Sequence, residues 1–198
     1  MNSSNSKLLR ERFLNTLLEI AGQVKKNSSS IDVDQILKLI NLIVEVDSNN
    51  GRIFIYGAGR SGFIGRCFAQ RLMHLGIKSC FVSDAVTYRY SKVDLLILVS
   101  GSGETTSPKA IAEEAREIGG KVALLTGNTN SKIATLSDLV IKVEGKSKEK
   151  AISQDSLAPF TSLFDISTLS ILDSIGASLM VLLGITEDDI DKRHASIE

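Results

Sequence analysis

Apolar residues in the first fifty positions recur at helical spacing. Leu8, Leu9, Phe13, Leu17, Leu18 and Ile20 mark one amphipathic helix, and the pattern fades at the polar run Lys25 to Ser30. Asp32 is placed to cap a second helix that carries Ile36, Leu37, Leu39, Ile40, Leu42 and Ile43. Asn49-Asn50-Gly51 ends it. From there the pattern changes. Short apolar runs at Arg52 to Tyr56, Ser79 to Val82, Leu95 to Val99, Lys121 to Leu125 and Leu139 to Val143 read as strands. Between them, Ser61 to Leu75, Ser107 to Ile118 and Ser131 to Leu136 read as helices.

Continuously apolar strands that alternate with amphipathic helices imply a parallel sheet covered on both faces. Right-handed crossovers then leave few topologies. The expected fold is α/β: a doubly wound, five-stranded parallel sheet in the order 2-1-3-4-5, flanked by helices. A charged connection from Glu144 to Gln154 leads to a long helix from Pro159 to Leu183. A short last helix starts at Thr186, with Glu187, Asp188 and Asp189 in its first turn. Residues 1–198 form one expected domain, with two leading helices (6–48), an α/β core (52–143) and trailing helices (159–198).

Charge and composition narrow the chemistry. Lys and Arg total 23, as do Asp and Glu, so no global field draws nucleic acid or an anionic membrane. There is no Trp, which leaves few platforms for stacking bases. Cys67 and Cys80 form no C-x-x-C pair. With His74 and His194 the only histidines, no zinc site is expected. Met1 to Ser6 lack the basic-then-apolar order of a signal peptide. The apolar stretch Phe160 to Leu183 contains Asp165 and Asp173 and is read as a buried helix rather than a membrane span. The expectation is a cytoplasmic protein with no membrane or nucleic-acid partner.

Two loops follow adjacent central strands, where doubly wound sheets bind ligands. The first, Gly57 to Gly62 (GAGRSG), fits G-x-G-x-x-G, and Asp84 follows at the spacing of a ribose-binding acid. A dinucleotide-binding oxidoreductase is therefore one reading. The second loop, Ser100 to Ser107 (SGSGETTS), weighs against it. Ser100, Ser102, Thr105, Thr106 and Ser107 supply five hydroxyls, with Gly101 and Gly103 between them, at the start of a helix. Free amides, a helix dipole and hydroxyls together suit a terminal phosphate dianion. A ligand-free capping turn is the plainer alternative.

The pairing of GAGRSG with SGSGET, followed by RLMHLG (Arg71 to Gly76) and RHASIE (Arg193 to Glu198), resembles the sugar isomerase (SIS) domain superfamily. Within it the chain is most similar to the 6-phospho-3-hexuloisomerase family. That resemblance spans about Leu8 to Glu198. It implies interconversion of D-arabino-3-hexulose 6-phosphate and D-fructose 6-phosphate, without metal or organic cofactor. It also implies a homotetramer with sites near subunit interfaces. Two segments depart from the family pattern. Its L-x-P-x-x-x-x-F-E stretch reads LAPFTSLFD here, which puts Asp165 in the place of the acid. Its G-E-x-x-T-P segment reads SDAVTY, with Asp84 for the acid, Thr87 retained and Tyr88 for the proline.

Moving a carbonyl to a neighbouring carbon requires a base, and a polar group to stabilise the enediolate oxygen. Asp165, early in an apolar helix, is one candidate base; the alternative is a helix-dipole charge. His194 is another, since its ordinary pKa suits proton transfer near neutrality. The RHA motif of the resemblance supports it, with the side chain reaching a neighbouring subunit. His74 is the third candidate, or else a residue at a helix end. Gly59, Arg60, Ser61, Ser100, Gly101, Ser102, Gly103 and Thr105 are the expected sugar-phosphate contacts, with Thr87 added by the resemblance. A sugar-phosphate sensor without turnover, and an SIS isomerase for another sugar, are the remaining readings.

Overall fold

All five apolar runs pair in parallel, in the order β2-β1-β3-β4-β5. The computed structural model describes residues 3–145 and 156–197. Most of the connection expected over 144–154, and Glu198 of the RHASIE motif, lie outside them. The strands are β1 (Ile53–Gly57), β2 (Ser79–Phe81), β3 (Leu95–Val99), β4 (Lys121–Thr126) and β5 (Leu139–Lys142). The helices are α1 (Ser3–Ser30), α2 (Val33–Ser48), α3 (Arg60–His74), α4 (Thr106–Ile118), α5 (Lys132–Thr135), α6 (Ser162–Leu183) and α7 (Glu187–Asp191).

The central strand β3 is buried along its whole length, which is why its sequence shows no alternation. Helices α2, α3 and α6 pack on one face of the sheet, around Ile53, Ile55, Ile97 and Leu125. Helices α4 and α5 cover the other face, around Phe54, Leu96, Leu98 and Leu124. β1 and β3 are neighbours whose following helices lie on opposite faces. The crevice between their carboxyl ends is the switch point of the sheet.

Helix boundaries differ from the sequence reading where tertiary bonds intervene. α1 runs on through Lys25 to Ser30. Its polar end is held by Asn27, which exchanges hydrogen bonds with the backbone of Glu144, and by a Lys26–Glu144 ion pair. α6 begins at Ser162, not Pro159, because Thr161 adopts φ 64°, a left-handed conformation that breaks the helical path. The Asp32 and Thr186 caps form as expected, the latter as a full capping box with Asp189. By length and composition α6 could cross a membrane. In the fold it is a core helix: Leu163, Phe164, Leu172, Ile175 and Leu179 are buried, and Asp165 and Asp173 pair with Arg60 and Arg71.

Asp94 has no counterpart in the sequence reading. It is 1% exposed at the amino edge of the sheet. Its carboxylate accepts from the amides of Arg52 (2.8 Å) and Ser91 (2.7 Å) and from the Ser91 hydroxyl (2.8 Å). It thereby joins the starts of β1 and β3. Asp94→Ala leaves two of those donors as unpaired amides, so we expect a loss of about 2–4 kcal/mol in unfolding free energy. A urea midpoint equal to that of the parent would contradict this role.

Candidate functional site

The first loop turns from β1 into α3 with very little room. A Cβ at Gly57 would lie 2.8 Å from the backbone of Ser61 and 2.9 Å from the Val99 carbonyl oxygen. Only glycine lets the start of α3 sit this close to β1 and β3. α3 is then capped at Gly59 without a side-chain hydrogen bond. Its first residues, Arg60 and Ser61, project at the crevice.

The second loop is shaped from within and braced from the side. The Ser100 hydroxyl is buried and accepts from the Gly103 amide (3.2 Å). Gly103 holds φ 66°, and a Cβ there would collide with Ser131. Glu104 accepts from the Lys132 amide (2.8 Å) and pairs with its ammonium (3.5 Å). Glu104 is thus spent on the start of α5, a role the SGSGET motif does not announce. Ser102 accepts from the Glu104 amide and lies 3.5 Å from the Thr105 hydroxyl. Thr105 caps α4 without a side-chain bond, and its hydroxyl is exposed with those of Thr106 and Ser107.

A third helix start completes the site. The Phe164 ring of α6 lies against Gly101, 3.2 Å from where a Cβ would sit. Asp165 is 1% exposed. It accepts from Arg60 Nε (2.9 Å), Ser61 Oγ (3.2 Å) and Thr161 Oγ1 (2.7 Å). A buried carboxylate needs such partners, because an unpaired charge away from water is costly. The Arg60 side chain remains 60% exposed, so the guanidinium is held by one edge and open at the other. Like α3 and α4, α6 has no side-chain bond at its N-cap. Three uncapped helix starts therefore meet beside exposed hydroxyls and one guanidinium, an arrangement suited to an anion with several oxygens.

One chain gathers Gly59, Arg60, Ser61, Ser100, Gly101, Ser102, Gly103, Thr105 and Asp165 at this edge. The other expected residues lie elsewhere. His74 closes the carboxyl end of α3, 15 residues long and so about 20 Å from its start. His194 stacks on it, ring centroids 4.5 Å apart, within the same chain. Within the single chain His194 stacks on His74 and does not enter the cradle. Thr87 folds back beneath β2. Its hydroxyl is 3.7 Å from Cys80 Sγ, in a pocket shared with Tyr88, Glu114 and Ile118, away from the phosphate-type loop. The ribose-type acid Asp84 is paired with Arg66. Thr161 was not legible as a site residue, since no sequence signal announces its left-handed backbone.

The family model for the SIS domain matches residues 48–172. A 3-hexulose-6-phosphate isomerase of Methanocaldococcus jannaschii is 40% identical over 146 residues, covering 74% of this chain and 77% of its own. A 3-hexulose-6-phosphate isomerase of Bacillus subtilis is 33% identical over 181 residues, covering 91% and 96%. Among solved structures, a hypothetical protein from Methanococcus jannaschii has a TM-score of 0.77 at 36% identity, covering 93% of this chain and 98% of its own. Its structure infers a molecular function of 3-hexulose-6-phosphate isomerase.

The histidine stack carries a pH dependence. Burial, then the neighbouring His194 and Arg71, hold the His74 pKa below its ordinary value of 6.5. The folded chain therefore keeps His74 neutral at a pH where the unfolded chain has already bound a proton. Its contribution is fully present above about pH 6.5 and is lost as pH falls from there toward the folded pKa. We expect the parent to lose more stability between about pH 7 and pH 5 than His74→Gln does. Equal losses in urea denaturation at the two pH values would remove the histidine from the account.

Proposed function

The chain belongs to the SIS domain family, and on that premise we propose that it is a sugar-phosphate isomerase, interconverting 3-hexulose 6-phosphate and fructose 6-phosphate through a cis-enediol. The observation that carries this reading is the meeting of three uncapped helix starts around half-buried Ser102 and exposed Thr105, with Arg60 alongside. Such a cradle suits a phosphate, and the relatives named above act on a hexulose 6-phosphate. The phosphate does no chemistry. Its binding energy fixes the reacting carbons.

In this reading Ser102, Thr105 and the α4 amides hold the phosphate, with Ser100 and Gly103 setting the loop. Arg60 and Ser61 face the sugar oxygens, where a cation stabilises the developing enediolate. Asp165 is buried with three of about four acceptor positions filled. That favours holding Arg60 and Ser61 in place over taking the proton directly. His194 then carries the proton. Since it lies a helix length from the cradle of its own chain, it serves a neighbouring copy in a homotetramer, with His74 positioning its ring. The protein works in the cytoplasm and needs no cofactor for this chemistry.

Turnover is tested by incubating the protein with fructose 6-phosphate in heavy water. Deuterium entering carbon-bound positions, followed by NMR, is the expected result. Binding without exchange would instead make the domain a sensor.

Roles within the site separate by kinetics. Ser102→Ala should weaken sugar-phosphate binding roughly ten-fold, the value of one charge-assisted hydrogen bond. His194→Ala should lower kcat by roughly 10²–10⁴ with little change in ligand affinity. Asp165→Asn should raise KM and lower kcat together, because it releases Arg60. If Asp165→Asn abolishes turnover at unchanged KM while His194→Ala stays active, the carboxylate is the base.

A further inference from the structure

The start of α6 departs from the usual geometry of a helix cap. An N-cap threonine ordinarily sits in extended backbone, and its hydroxyl accepts from an amide of the first turn. Thr161 does neither. It holds φ 64° and ψ −11°, a left-handed conformation rare for a β-branched side chain, and its side chain makes no capping bond. Apart from Asn50, of a type that tolerates this region, the other left-handed residues among those described are glycines. Backbone held in so sparsely populated a region persists only where its surroundings over-determine it.

The bonds that hold Thr161 run both ways between it and Asp165. The Asp165 amide donates to the Thr161 carbonyl (2.9 Å), and the Thr161 hydroxyl donates to Asp165 Oδ2 (2.7 Å). The same oxygen accepts from Arg60 Nε (2.9 Å), while Oδ1 accepts from Ser61 (3.2 Å). With the carboxylate 1% exposed, these contacts and not water decide where it sits. Asp165 also stands where the family pattern has Glu. Aspartate carries its carboxylate one methylene nearer the helix axis, and the hydroxyl that meets it comes from one turn earlier on the same side of the helix. Glutamate at 165 would carry its oxygens beyond the point where the Thr161 hydroxyl and Arg60 Nε now meet them.

We propose that Thr161 and Asp165 are a matched pair, with Thr161 as a positioning residue: its hydroxyl, delivered by the left-handed backbone, fixes the short carboxylate and through it the Arg60 guanidinium at the crevice. Extended backbone at 161 would turn the hydroxyl toward the first-turn amides, the usual capping arrangement, and away from Asp165. The left-handed turn therefore has two effects. It brings a donor to the acid, and it leaves the start of α6 without a side-chain cap. The consequence for a bound sugar rests on the isomerase reading, in which Arg60 faces the sugar oxygens. The placement of Arg60 does not rest on it.

Nuclear magnetic resonance on the full chain tests this through the Arg60 Nε–H, whose exchange with water is slow while Asp165 holds it. The signal is assigned by its loss in Arg60→Lys. Thr161→Ala should speed the exchange roughly ten-fold, the value of one hydrogen bond to a charged group. Thr161→Gly should speed it as much, yet unfold at a higher urea concentration than Thr161→Ala, because glycine takes φ 64° without strain. Thr161→Ser should keep the slow exchange. Asp165→Glu should speed it, and Thr161→Gly/Asp165→Glu should slow it again, a recovery that independent sites would not show. Parent-like exchange in Thr161→Ala or Asp165→Glu, fast exchange in Thr161→Ser, a Thr161→Gly chain no more stable than Thr161→Ala, or no recovery in the double variant overturns the proposal. The readout needs no substrate. A chain that shows the expected exchange but incorporates no deuterium from heavy water overturns the isomerase reading and leaves the pairing standing.

Discussion

The buried carboxylate of Asp165 is the constraint around which the site is organised. A charge 1% exposed to water persists only with close partners, and those partners come from two distant parts of the chain. Arg60 and Ser61 open α3, while Thr161 precedes α6. Satisfying one acid therefore pins the start of the long helix to the start of the helix after β1. The same pinning presses Phe164 onto Gly101 and so reaches the second loop. The left-handed Thr161 belongs to this arrangement, since its hydroxyl donates to the same carboxylate oxygen as Arg60.

What the pinned helices surround is mostly backbone. The hydroxyl loop holds its shape by internal bonds: Ser100 to the Gly103 amide, Ser102 to the Glu104 amide. Glu104 turns away to α5, and a helix start with bound lysine holds it there. The loop thus separates into residues that shape it and residues left open to a ligand. Preorganisation of this kind matters for an anion site, because donors that are already aimed need no rearrangement when charge arrives.

The two ends of α3 have different tasks. Its start belongs to the crevice. Its end is buried under the carboxyl-terminal segment, where Arg193 donates to the His74 carbonyl (3.1 Å) and His194 stacks on the His74 ring. Ile190 adds an apolar contact that joins the segment to the core. The histidines and the cradle are therefore separate in one chain.

Most of the fold was legible in the sequence because parallel sheets advertise themselves. Uninterrupted apolar strands, glycine turns and amphipathic helices in alternation fixed the element order, and right-handed crossovers fixed the strand order, as found. The two loops after β1 and β3 were legible too, since glycine spacing and clustered hydroxyls are local signals. Long-range pairings were not. Nothing local tells Asp165 that its partners are 105 and 104 positions away at Arg60 and Ser61. Nor does spacing reveal that Asp94 joins two strand starts, that Thr87 turns beneath the sheet, or that His194 stacks on His74. The periodicity of α1 identified an apolar stripe but not its direction. Hydrogen bonds from Arg12, Glu19, Gln23 and Asn27 decided that, and they exist only once Glu144 and residues 156 to 158 have been brought alongside.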